Sequence, residues 1–240
     1  MPRPKMLLTY GIAMVLLAGA ATALGAIIKH EPNFFRQARV PASDARNQQA
    51  LECLTKFSQM SVDKDARQAK WGCDVTEAQM NSFFEEFFAD RGESEGLRKL
   101  GVSSPSVVLE DDQLRLAFRY DSGWFTTVLS YQLKVWLVPK EPNTIAVEFM
   151  SARAGALPIS SQLILQQLSD VARKQEYKVN LYRHEGNTVA VIQLQPNENH
   201  PWWLLTALQV SSNKLSIRGK TLDHALPAPQ PKAPPAVIAK

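Results

Sequence analysis

Cysteine is scarce in this 240-residue chain: Cys53 and Cys73 are the only two. That excludes a disulfide-dense small scaffold and a metal cluster held by cysteines alone. No C-x-x-C pair exists, so no thiol-exchange motif is present. Histidine is nearly as sparse, at His30, His184, His200 and His224, and no two share a helical or ribbon ligand spacing. No metal site and no cofactor are expected. The P-loop pattern, G-x-G-x-x-G and G-x-S-x-G are all missing, which removes the nucleotide-binding and nucleophile-elbow readings. The acids Glu110, Asp111 and Asp112 are adjacent and fall at a turn, whereas acid–base catalysis needs carboxylates in environments that separate their pKa values. Asp121-Ser122 and His184 have no spacing that supports a triad. No catalytic residue is expected, and the reading is that of a non-enzyme.

A further absence is positive evidence. Residues 6–28 (MLLTYGIAMVLLAGAATALGAII) hold no charged side chain. A helix of that length spans roughly 35 Å, enough for the roughly 30 Å hydrocarbon layer of a bilayer. Arg3 and Lys5 precede it, so the positive-inside tendency keeps residues 1–5 cytoplasmic and sends the rest of the chain to the outer side, periplasmic or extracellular. The alternative is a signal peptide cleaved after Ala20, Ala23 or Ala26, each of which closes a small-residue site, giving a secreted protein. The run is longer than a usual signal core, and Ile27-Ile28 extend it.

The net charge is +4. Arg3, Lys5, Lys29, Lys232 and Lys240 lie at the two ends, with no acid among residues 1–30 or 225–240, so the intervening part is at −1. Such a domain has no net attraction for a phosphate backbone, and nucleic acid is not an expected partner.

Residues 29–47, with Pro32 and Pro41, read as a polar stalk that spaces the domain from the membrane, with Phe34 and Phe35 available to the interface. Leu51, Leu54, Phe57 and Met60 suggest a helix. Thr76 with Gln79 fits a capping box, and Met80, Phe83, Phe84, Phe87 and Phe88 follow at helical spacing. Over 102–154 the period changes to two. Strands are expected near 113–120, 128–138 and 144–150, parted by turn residues at 111–112, 121–123 and 141–143. A helix is expected over 160–175 with Ser160 as N-cap. Further strands follow at 177–184, 188–195, 203–211 and 214–220. Five prolines after Asp223 predict a disordered Pro/Ala-rich tail over 224–240. The class is therefore α+β: antiparallel β-meanders packed with helices over 48–223, preceded by one N-terminal transmembrane helix.

Two features bear on function. Phe83, Phe84, Phe87 and Phe88, with Trp202 and Trp203, are candidates to line an apolar-ligand groove, although core packing accounts for any one of them alone. Cys53 and Cys73, twenty residues apart, either form a disulfide in an oxidising compartment or remain two buried thiols. The apolar N-terminal segment, Val75-Thr76-Glu77-Ala78-Gln79-Met80-Asn81 at a helix start, and Ala156-Leu157-Pro158-Ile159 before a helix resemble small exported bacterial families, the YpmS-like and LmeA-like phospholipid-binding proteins. That resemblance implies an exported domain with a tubular-lipid-binding-like shape, a membrane anchor and a lipid ligand. It supplies no catalytic residue. The competing reading is a bitopic scaffold that docks protein partners through its sheet or its proline-rich tail.

Overall fold

The computed structural model describes residues 22, 25–88, 101–160, 178–195 and 201–222. Most of the 6–28 segment, the helix expected over 160–175 apart from Ser160, and the tail from 224 lie outside them. Among the described residues, no helix is long and apolar enough to cross a membrane.

Short helix α1 (Asn33–Gln37) is followed by the long helix α2 (Asp44–Asp65), whose N-cap Ser43 accepts from Arg46 N–H. Strand β1 (Lys70–Thr76) leads into α3 (Glu77–Phe83), which passes into a π-helical turn (Phe84–Phe88). Then come β2 (Val102–Glu110), β3 (Gln113–Asp121), β4 (Thr126–Leu137), β5 (Thr144–Ala154), β6 (Leu157–Pro158), β7 (Lys178–His184), β8 (Asn187–Gln193), β9 (Trp203–Ser211) and β10 (Lys214–Thr221). These form two antiparallel sheets. The larger runs β2-β3-β4-β5-β8-β7, with β6 on β5, and the smaller runs β1-β10-β9. The protein is thus mostly antiparallel sheet with a few helices.

Local signals explain much of this. The predicted capping box is in place: Gln79 N–H donates to Thr76 Oγ1 at 3.2 Å, and Thr76 N–H to Gln79 Oε1 at 3.1 Å. Asp112, Asn143, Glu185 and Asn213 adopt positive φ at the turns between strands, each in a gap that the sequence leaves between expected strands. Elsewhere the structure departs from the sequence reading. Leu51 and Leu54 are 56% and 37% exposed, while Ala50 and Cys53 are buried and Phe57 and Met60 pack beside Cys53. A strict three-residue step drifts about 60° per step around a helix, whereas 50, 53, 57 and 60 stay on one face. Strand β1 lies where the sequence reading joins two helices directly. Its Trp71, Cys73 and Val75 alternate inward, and it pairs with β10 from Lys70↔Lys220 to Thr76↔Lys214.

Buried asparagines join the pieces. Asn81 of α3 donates to Val107 O and accepts from Val107 N–H, both at 2.8 Å, and Glu77 accepts from Leu109 N–H. Helix α3 thereby satisfies the outer edge of β2 as a neighbouring strand would. Asn143 does the same for β9, donating to Trp203 O at 2.8 Å and accepting from Leu205 N–H at 2.7 Å.

Directly opposed residues of an antiparallel pair share a face. On one face of the larger sheet, Leu114, Leu116, Phe118, Leu129, Tyr131, Leu133 and Phe149 form an apolar cluster. The opposite face carries Arg115, Ala117, Arg119, Val128, Ser130, Gln132 and Arg153. Residues expected to act as a free stalk lie on that second face. Phe35 is fully buried against Ala117 and Val128, and Glu31 pairs with Arg119. The stalk is part of the fold because Ala117 leaves room on the sheet for an aromatic ring, which local polarity does not reveal.

Candidate functional site

The aromatic side chains singled out from the sequence do not line one groove. Phe83 packs with Cys53, Cys73 and Val75, whereas Phe84 packs with Val107, Leu109 and Val210. Consecutive residues of a helix point about 100° apart, so Phe83 and Phe84 face different clusters, although their rings lie 6.2 Å apart and Met80 touches both clusters. Phe87 stacks on Phe83 at 4.9 Å, and the Phe88 side chain lies outside the described set. Trp203 meets Trp71 edge-on at 5.6 Å with Lys64 Nζ over its ring, and Arg67 lies over Trp202. Trp71 and α3 sit at opposite ends of β1, on the order of 17 Å apart at 3.3–3.4 Å rise per residue. The phenylalanines and the tryptophans are therefore separate parts of the packing.

Of the two alternatives for Cys53 and Cys73, the structure has the pair of thiols. Cys53 and Cys73 are buried free thiols in one cluster, and Cys73 Sγ lies 3.6 Å from Met60 Sδ. Asp121-Ser122 and His184 stand on β3 and β7, four strand spacings or roughly 19 Å apart across the sheet. Among the described residues, no three His, Cys, Asp or Glu side chains gather to hold a metal ion.

What the structure does assemble is a corner where residues 25–35 meet β3, β4 and the β5–β6 turn. Residues 25–28 form a helical turn at the end of the apolar 6–28 run. Its terminal carbonyls are received by the sheet: Ala156 N–H donates to Ile27 O at 3.0 Å and Thr127 Oγ1 to Ile28 O at 2.6 Å. Gly155 makes the approach possible. A Cβ there would stand 2.3 Å from Ile28 O, and its φ of +61° suits glycine. A helix end leaves its last carbonyls without intrahelical partners, and here backbone and hydroxyl donors of the sheet complete two of them.

Two hollows flank this junction. One, of about 470 Å³, is lined by Lys29, Glu31, Arg119, Asp121, Trp124 and Phe125, among others. The second, of about 350 Å³, is lined by His30, Phe34, Arg115, Gln132 and Arg153 among others. Arg115 pairs with Glu110 at 3.0 Å, and its buried Nε has no hydrogen-bond partner. Both hollows are open to solvent, and charged side chains line each of them. The sequence reading missed the corner because its parts come from three distant stretches. The available signal was Trp124-Phe125 in a turn, where large apolar side chains are unusual. The chain matches no family model, no curated protein and no solved structure.

Proposed function

We propose that this chain is a single-pass membrane protein. Its 6–28 segment crosses the bilayer, its first five residues stay cytoplasmic, and its two-sheet domain sits on the outer side directly against the membrane. The observation that carries this reading is the reception of the Ile27 and Ile28 carbonyls by Ala156 and Thr127. A helix end leaves its last carbonyls without intrahelical partners, and donors from the β5–β6 turn and from β4 couple the segment to the domain. Within this reading the lipid-binding role suggested by the YpmS-like and LmeA-like resemblance attaches to the apolar face of the larger sheet. There the Tyr131 hydroxyl is buried without a hydrogen-bond partner, one polar point in an otherwise apolar cluster, suited to an apolar ligand with one hydrogen-bonding group.

Alkaline carbonate washing of membranes carrying the full chain is expected to leave it in the pellet at full length, with the domain open to protease from the outer side only. A soluble product beginning at residue 21, 24 or 27 would overturn the anchor. Solvent extraction of the protein captured from those membranes is expected to release a stoichiometric lipid. A lipid-free protein that crosslinks to a defined protein neighbour supports the scaffold reading instead.

A further inference from the structure

We propose that the β3–β4 hairpin tip, carrying Trp124 and Phe125, is a second membrane contact that rests in the headgroup layer beside the exit of the apolar segment. This rests on the anchored reading and adds to it a surface, a depth and an orientation of the domain.

Trp124 is 97% exposed and Phe125 46% exposed, on a tip of only four residues between β3 and β4. A bare indole in water forgoes the burial of up to about 250 Å² of surface, and a slack loop would fold it back onto the protein. This tip is not slack. Ser122 N–H and Ser122 Oγ–H both donate to Phe125 O at 3.1 Å, and Phe125 N–H donates to Ser122 Oγ at 3.2 Å. Gly123 N–H donates to Asp121 Oδ1 at 2.8 Å. The ring of hydrogen bonds holds the aromatic pair outward.

The position of the tip names its partner. Thr127, three residues beyond Trp124, donates to Ile28 O, the last residue of the apolar run. Three residues of extended chain reach at most roughly 10 Å. The headgroup region is about 5–7 Å deep on each side of a 30 Å core. Phe35 lies on Ala117 and Val128, Glu31 on Arg119 and Ile28 on Thr127, so the chain runs back towards the tip and the apolar segment leaves the sheet at the end that carries Trp124. Lys29, in the same hollow as Trp124 and Phe125, supplies a cation where lipid phosphates lie. An indole has an apolar body and one N–H donor, the combination enriched at bilayer interfaces. The occupant inferred is the lipid surface itself, not a protein.

The test uses the full chain in phosphatidylcholine vesicles, with and without bromine atoms high on the acyl chains, comparing the native sequence with Trp124→Phe. The expected result is that brominated lipid quenches a portion of the tryptophan emission and that Trp124→Phe abolishes most of that portion. Equal quenching in both proteins, or none in either, overturns the contact. Carbonate resistance of the same vesicles separates the two failures. A resistant protein with an unquenched Trp124 loses only this contact, whereas a carbonate-released protein loses the anchor as well.

Discussion

At the scale of single residues, the two cysteines show how burial sets chemistry. Burial pushes the Cys53 thiol from its ordinary 9.0 up to about 11, and the neighbouring Cys73 pushes the same way against the opposing pull of Lys56. Cys73 is raised chiefly by burial too, with Arg218 opposing. The thiolate is the reactive species, so both groups are protected by shielding and by retained protons. The sign of the linkage follows. The folded state favours the protonated thiol, so this contribution is fully present below pH 9 and is lost as pH rises from about 9 through about 11. A thiol reagent at pH 8 is expected to find no reactive group in the native protein and two after denaturation. The urea midpoint is expected to fall between pH 9 and 11, and less steeply in Cys53→Ala. If denatured protein shows no thiols without prior reduction, the free-thiol cluster is wrong and a bridge forms after all.

At the scale of elements, the small sheet depends on one exchange of volume between neighbours. Trp71 of β1 is paired directly with Gly219 of β10, where the register also shifts. A Cβ on Gly219 would stand 2.1 Å from the Trp71 ring, so the indole lies over bare backbone. Gly219→Ala is expected to displace that ring and its edge contact with Trp203, costing about 2 kcal/mol, within the usual range for overpacking. Trp71→Leu in the same chain should recover part of the loss, and denaturant melts of the four-protein cycle measure the coupling. This pairing also shows where sequence reading stops. The Thr76–Gln79 cap and the turns at 111–112 and 141–143 were legible because their chemistry is local. Strand β1 was not, since three alternating apolar residues form a strand only by pairing with β10, some 140 residues later in the chain. The phenylalanine face was legible as apolar, but which cluster each ring joins follows from tertiary packing. The corner with Trp124 was hidden for the same reason, as it exists only once residues 25–35 lie on β3 and β4.

At the scale of the whole molecule, the question is whether the apolar segment and the domain behave as one body. The sequence suggests a spacer, with two prolines and mixed charge over 29–47. The structure instead gives a continuous seat made by Gly155, Thr127, the Glu31–Arg119 pair and buried Phe35. Gly155 is the position that tests it. Alanine there adds the strain of a positive φ, and its Cβ meets both the Ile28 and the Ile27 carbonyls, at 2.3 and 2.5 Å. Gly123 at the hairpin tip has φ +82° but open space around its Cβ, so Gly123→Ala carries the backbone strain without the clash. In membrane-embedded full chain, Gly155→Ala is expected to weaken docking of residues 25–35 by about 2 kcal/mol, a roughly thirtyfold rise in the undocked population. Protease cleavage within 29–47 should accelerate by a similar factor when opening is fast relative to cutting. Gly123→Ala should leave that rate near its native value. The sheets themselves should melt much as before in Gly155→Ala, because the seat uses side chains of Thr127 and Arg119 and not their backbone ladder, and the Asn81 and Asn143 clamps lie elsewhere. If the two alanine variants are cut at the same rate, residues 29–47 are a spacer after all, and the domain is tethered to the apolar segment, not seated on it.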